Sequence, residues 1–216
     1  YQKTGMPVVI LIDEYDKPII DQLENPEKAK TNRQILKSFY TVVKGSDRYI
    51  QFFLLTGITK FSQVSVFSDL NNLFDISMVR EYASLLGYTE KEIKTNFSEH
   101  VRLLKEEFKD AYSNIPETIR YWYNGYSWDG NTFVYNPFSI LSLFTSREFE
   151  NFWFSTGTPT FLMKLIREKR FSPFELEDLH IHSSTLRNFD IEKLEIIPLL
   201  FQTGYLTIKE KNRVSN

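Results

Sequence analysis

The chain contains no cysteine, which excludes disulfides and thiolate-held metal sites. Histidine is nearly absent as well. Only His180 and His182 have a chelating spacing, and with no further ligands beside them a surface loop is the preferred reading. No apolar stretch reaches the ~18 residues that crossing a bilayer requires. No signal-peptide pattern opens the chain, so a cytoplasmic protein without membrane contact is expected. An excess of one charge is missing too. The 26 Lys and Arg against 28 Asp and Glu leave a net charge of −2, which removes any global pull toward nucleic acid or anionic lipid. Glycine is limited to 8 residues, and none of them belongs to a Gly-rich loop closing on Lys-Ser or Lys-Thr. The usual cradle for nucleotide phosphates is therefore not encoded here.

What the chain does have is aromatic residues, 16% of the total, enough to fill a sizeable core. It also has two short, strongly apolar runs. The first is Val8-Val9-Ile10-Leu11-Ile12, followed at once by Asp13 and Glu14. Consecutive apolar residues predict a strand buried on both faces, as in a parallel sheet covered by helices. Ligands bind at the carboxyl edge of such sheets. An apolar strand ending in Asp-Glu is the Walker B pattern, in which the Asp serves Mg²⁺ and the Glu a water beside the γ-phosphate. The plain alternative is a solvated turn. Tyr15-Asp16-Lys17-Pro18 adds a third acid.

The second run, Tyr49 to Leu55, ends in Thr56-Gly57-Ile58-Thr59-Lys60. Between the runs, Asn25-Pro26 marks a turn, and helical spacing from Thr31 to Gly45 predicts a crossover helix. The result is a strand–helix–strand unit. A polar side chain at Thr56 would then stand beside the acids as a sensor of the γ-phosphate, where the alternative is a loop with Gly57 as its turn. The first strand begins seven residues after Tyr1, too early for a doubly wound sheet, so upstream sequence is expected.

Three regions are read along the chain: 1–77 as a partial ATPase core, 78–145 as a helical lid and 146–216 as a winged-helix-like end. Thr89-Glu90-Lys91-Glu92 has capping-box spacing. Pro116 suits a first helical turn, and Asn136-Pro137 pairs a cap with a favoured first residue. Thr156-Gly157-Thr158-Pro159 repeats that device. Asp129-Gly130 between aromatic flanks suggests a hairpin. A helix from Ile196 ends at Gly204, and Tyr205 to Ile208 follow as a strand. Lys164, Arg167, Lys169 and Arg170 form a basic helix edge, best read as solvated. Trp122, Tyr123, Tyr126 and Trp128 are better placed as core than as base-stacking platforms.

With these elements located, the chain resembles the predicted AAA-ATPase-like family, a STAND-type branch of P-loop ATPases whose members often carry a PD-(D/E)xK nuclease-like domain. The resemblance rests on VVILIDEYDKPI (8–19), FFLLTGITKFSQVSVFSDLNNLFDIS (52–77), YNPFSIL (135–141), FWFSTGTPTFL (152–162) and FQTGYLTIK (201–209). It implies a partial P-loop NTPase sheet of α/β class, a helical lid and a winged-helix-like end. It further implies that Asp13 is the Mg²⁺-side acid, Glu14 the water-positioning base and Thr56 the sensor with Lys60 just beyond. Asn136-Pro137 is the candidate lid motif that packs on adenine. ATP and Mg²⁺ are the implied cofactors, and nucleotide hydrolysis or nucleotide-gated switching the implied activity. Two parts of the family pattern, the P-loop and the nuclease-like domain, are not in these residues. Without a P-loop strand beside it, the sensor strand would present an edge that invites self-association. A non-catalytic interaction module and a DNA-directed adaptor for a nuclease are the alternatives.

Overall fold

A computed structural model describes residues 3–58, 73–155, 160–177, 179–186 and 195–212. Along the chain run β1 (Val8–Ile12), α1 (Lys17–Ile20), α2 (Pro26–Gly45) and β2 (Ile50–Leu55). Then come α3 (Glu90–Asn96), α4 (Ser98–Glu107), α5 (Ile115–Tyr123), β3 (Asn124–Tyr126), β4 (Val134–Tyr135) and α6 (Pro137–Ser146). The last are α7 (Phe152–Ser155), α8 (Thr160–Glu168), α9 (Ser183–Leu186) and α10 (Ile196–Gln202). This is a mixed helix and sheet chain with a small parallel sheet, in keeping with the expected α/β class. It divides into two compact units, Tyr1–Leu73 with Pro159–Leu206, and Phe74–Thr158 with Thr207–Asn216.

In the first unit β1 and β2 pair in parallel, Val9 opposite Phe52 and Ile12 opposite Leu55. The strand–helix–strand unit is therefore present, with α2 as its crossover. Side chains alternate between the faces of a strand, and the described residues cover only one face of this sheet. Ile12, Phe53 and Leu55 pack on a core built from Ile19, Tyr40, Leu162, Leu199 and Leu200. Burying each of these large side chains contributes roughly 1.5–3 kcal/mol. On the other face Val9 is 55% exposed, Leu11 66% and Phe52 52%. A strand covered on both sides is thus not what the described residues form. The continuous apolar run reflects β propensity on the open face as well as burial on the closed one.

Helix α2 begins at Pro26, five residues before the Thr31 start that hydrophobic spacing gives. The reason is local. Asn25 Oδ1 accepts the Lys28 N–H at 3.2 Å, and Pro26 takes the first helical position, where a missing N–H costs nothing. The same device opens α5, where Asn114 Oδ1 accepts from Glu117 N–H, and α6, where Asn136 Oδ1 accepts from Ser139 N–H at 2.9 Å. Residues 156–159, expected to repeat it, lie outside the described residues.

The second unit bears out the capping box. Glu92 Oε2 accepts the Thr89 N–H at 2.8 Å, while Thr89 Oγ1 accepts the Glu92 N–H at 3.3 Å. Its core joins Ile93, Leu104, Ile119, Ile140 and Leu143 with Tyr123, whose ring stacks on Phe149. The expected hairpin is a short antiparallel ribbon of β3 and β4, closed by a loop wound around Asp129. Its Oδ1 accepts the N–H groups of Asn131 and Thr132 at 2.9 and 2.7 Å. The strand expected over Tyr205–Ile208 does not form. Tyr205 and Leu206 instead donate to the Leu200 carbonyl, while Thr207 Oγ1 accepts the Ser127 N–H at 2.7 Å and Ile208 N–H reaches the Ser127 carbonyl, so Thr207 and Ile208 brace the Asp129 loop rather than joining a sheet.

Candidate functional site

The site is built where β1 and β2 leave the sheet together. The ladder continues one step past the strands: Thr56 N–H donates to the Ile12 carbonyl and Tyr15 N–H to the Thr56 carbonyl, both at 2.9 Å. Asp13 is thereby set next to Thr56. One oxygen of Asp13, Oδ1, accepts both the Thr56 hydroxyl and the Glu14 N–H. Asp13, Glu14 and Thr56 are all exposed, so the cluster faces solvent at the carboxyl edge of a parallel sheet, where open α/β folds bind ligands.

Glu14 has a φ of +50°, the left-handed region that a residue with a Cβ enters at a cost of about 1–3 kcal/mol. Its backbone is clamped on both sides. Before it, Asp13 accepts its N–H. After it, Tyr15 is tied to Thr56, and Glu14's own carbonyl accepts the Lys17 N–H at 3.0 Å. The side chain is exposed, with no hydrogen-bond or ion-pair partner among the described residues. That is a suitable state for a group that must meet a water.

Residues 1–67 match the family described as predicted AAA-ATPase. The AAA-ATPase-like segment thus contains both strands and the whole acid–threonine edge. An uncharacterized protein from the vnfD 5′ region of Azotobacter chroococcum is 44% identical over 210 residues, 97% of this chain and 39% of that protein. A putative ankyrin repeat protein of Borreliella burgdorferi is 29% identical over 92 residues, 42% of this chain and 22% of that protein. The chain therefore spans well under half the length of either relative. No solved structure matches it.

Of the other expected site residues, Lys60 lies outside the described residues. Asn136 and Pro137 belong to the second unit, where they start α6, and that local role accounts for both residue types. His182 Nδ1 lies 2.7 Å from Ser184 Oγ in an exposed turn, and no three His, Asp or Glu side chains cluster as a metal site among the described residues. On the basic edge of α8, Lys164 pairs with Glu24 at 3.2 Å. No described helix is long and apolar enough to cross a membrane.

The residue that sequence spacing undervalues is Asp16. It is 0% exposed, stands just before α1, and its carbonyl accepts the N–H groups of Ile19 and Ile20. Burial, and next the Asp16 charge, push the Tyr40 phenol up to about 12. A signal was present in the chain: an acid immediately before Lys17-Pro18 is a helix-start pattern, and Asp16 does stand at the N-cap of α1, although its side chain makes no capping bond there.

Proposed function

We propose that the AAA-ATPase-like segment supplies the hydrolytic edge of a Mg²⁺-dependent ATPase, a cytoplasmic STAND-like nucleotide switch. The observation that carries this is the joint exit of two parallel strands, with the Thr56 hydroxyl on Asp13 and an exposed Glu14 next to it. The donor set fits Mg²⁺ arriving with a nucleotide rather than a resident ion. Among the described residues both Asp13 hydrogen bonds fall on Oδ1 and the side chain is exposed, and Mg²⁺ is commonly held by one or two carboxylates plus substrate phosphates and water. Bound Mg²⁺ would draw charge from the phosphates as they separate.

In this proposal Asp13 holds the metal side of the nucleotide, and Thr56 fixes the rotamer of Asp13 through their shared hydrogen bond. Glu14 accepts a proton from the attacking water. The phosphate grip is assigned to polypeptide outside this chain. Steady-state hydrolysis by the full-length protein tests the assignment. Glu14→Gln should keep ATP affinity within a few fold and lower turnover at least a hundredfold, whereas unchanged turnover contradicts it.

A second reading, self-association as an interaction module, draws on the open face formed by Val9, Leu11 and Phe52. A second copy could pair along the adjoining strand edge. Sedimentation over a wide concentration range should then show dimers that Leu11→Lys with Phe52→Lys disperses; a monomer at every concentration contradicts that reading.

A further inference from the structure

Resting on the hydrolysis reading above, we propose that Asp16 is a positioning residue that holds the Glu14 turn by wedging against the backbone of Gly57. A Cβ built on Gly57 would come 2.6 Å from Asp16 Oδ1 and 2.7 Å from two Tyr15 ring carbons. These contacts are far inside van der Waals distance. Gly57 has no positive φ, so what this position requires is space rather than unusual torsion. Asp16 and Tyr15 occupy that space, directly after the residue whose hydroxyl binds Asp13.

The wedge has firm support behind it. Asp16 is fully buried, and its carbonyl anchors the first turn of α1. Helix α1 is tied in turn to α2, because Asn32 Nδ2 donates to the Pro18 carbonyl at 2.6 Å. Asp16 is thus held from the α1 side, and on its other side it follows the acid turn directly. Glu14 is the left-handed link of that turn, lying between Asp13, fixed by Thr56, and Tyr15, fixed by the Thr56 carbonyl. Two residues carry the wedge from opposite sides: Asp16 as the filler and Gly57 as the gap. Misplacing a catalytic group by about 1 Å can cost about a hundredfold in rate, so a wedge of this kind should act on turnover rather than on substrate affinity.

The test uses the full-length protein and follows kcat and KM for ATP, with kcat expressed per nucleotide-binding site titrated. Asp16→Ala removes the filler, and Gly57→Ala closes the gap from the exposed strand exit, so one of the two remains informative if the other fails to fold. Each is expected to lower kcat at least tenfold with KM changed less than threefold. Asp16→Asn keeps the shape and should retain at least a third of kcat. If Asp16→Ala and Gly57→Ala leave kcat within threefold, raise KM instead, or if Asp16→Asn falls as far as Asp16→Ala, the wedge is overturned. Glu14→Gln run alongside separates the two levels of inference. Its failure to lower turnover sinks the hydrolysis reading itself, whereas loss of turnover there with normal Asp16 and Gly57 variants sinks only the wedge.

Discussion

Replacing Glu14 by glycine should make the protein more stable and at the same time inactive. Glu14 has a φ of +50°, and its exposed side chain has no partner among the described residues to lose. The left-handed conformation costs a residue with a Cβ about 1–2 kcal/mol. Glycine removes that cost but loses about 0.5–1 kcal/mol more backbone entropy on folding. The difference is a net gain of about 0–1.5 kcal/mol, near 0.7 kcal/mol at mid-range, or about 1–3 °C in melting temperature at that mid-range for a chain of this size. Thermal unfolding followed by circular dichroism, with a urea series to confirm the free energy, measures it. Glu14→Ala is the control, because it removes the charge yet keeps the Cβ. It should change stability by less than about 0.5 kcal/mol. If Glu14→Ala stabilises as much as Glu14→Gly, the effect is relief of repulsion among Asp13, Glu14 and Asp16 and the strain argument fails. A fall in stability for Glu14→Gly refutes it outright.

Thr56→Val, which keeps the shape and removes the hydroxyl on Asp13, should lower ATP turnover about ten- to a hundredfold, as expected for a hydrogen bond to a charged group; Thr56→Ser should retain most of it in the same assay. Gly87→Ala should destabilise by about 1–3 kcal/mol in urea unfolding, since a Cβ there meets Val134 Cγ2 at 2.4 Å and the Tyr135 carbonyl at 3.1 Å. The Tyr40 phenol is raised from 10.0 to about 12 in the folded state. Because that pKa is raised on folding, its contribution is fully present below pH 10 and is lost as pH climbs through 10 toward 12. Tyr40→Phe should flatten the decline in stability measured across that window.

The strands, the crossover helix and the acid–threonine juxtaposition were legible because each has a short-range signature: β-branched runs, helical spacing and polar residues at strand exits. The capping box at Thr89 was legible for the same reason, since both of its hydrogen bonds lie within one helical turn. Other features depend on distant contacts that composition does not encode. The open face of β1, carrying Val9 and Leu11, reads in sequence like a buried one because hydrophobicity does not say what covers it. The Tyr205–Ile208 stretch has strand composition, yet Tyr205 and Leu206 donate to the Leu200 carbonyl while Thr207 and Ile208 bond to Ser127. The role of Gly57 was visible only as a turn, since the side chain opposing it comes from Asp16, 41 positions earlier. Asn136-Pro137 was correctly legible as a helix start.

The proposed hydrolysis of a nucleoside triphosphate at the edge formed by Asp13, Glu14 and Thr56 makes a direct prediction about bound nucleotide. Its most direct test is the identity of the nucleotide retained by the full-length protein after incubation with Mg²⁺-ATP and rapid gel filtration. The wild-type protein should emerge with ADP and the Glu14→Gln protein with intact ATP. ADP on both, or no nucleotide on either, would contradict the account.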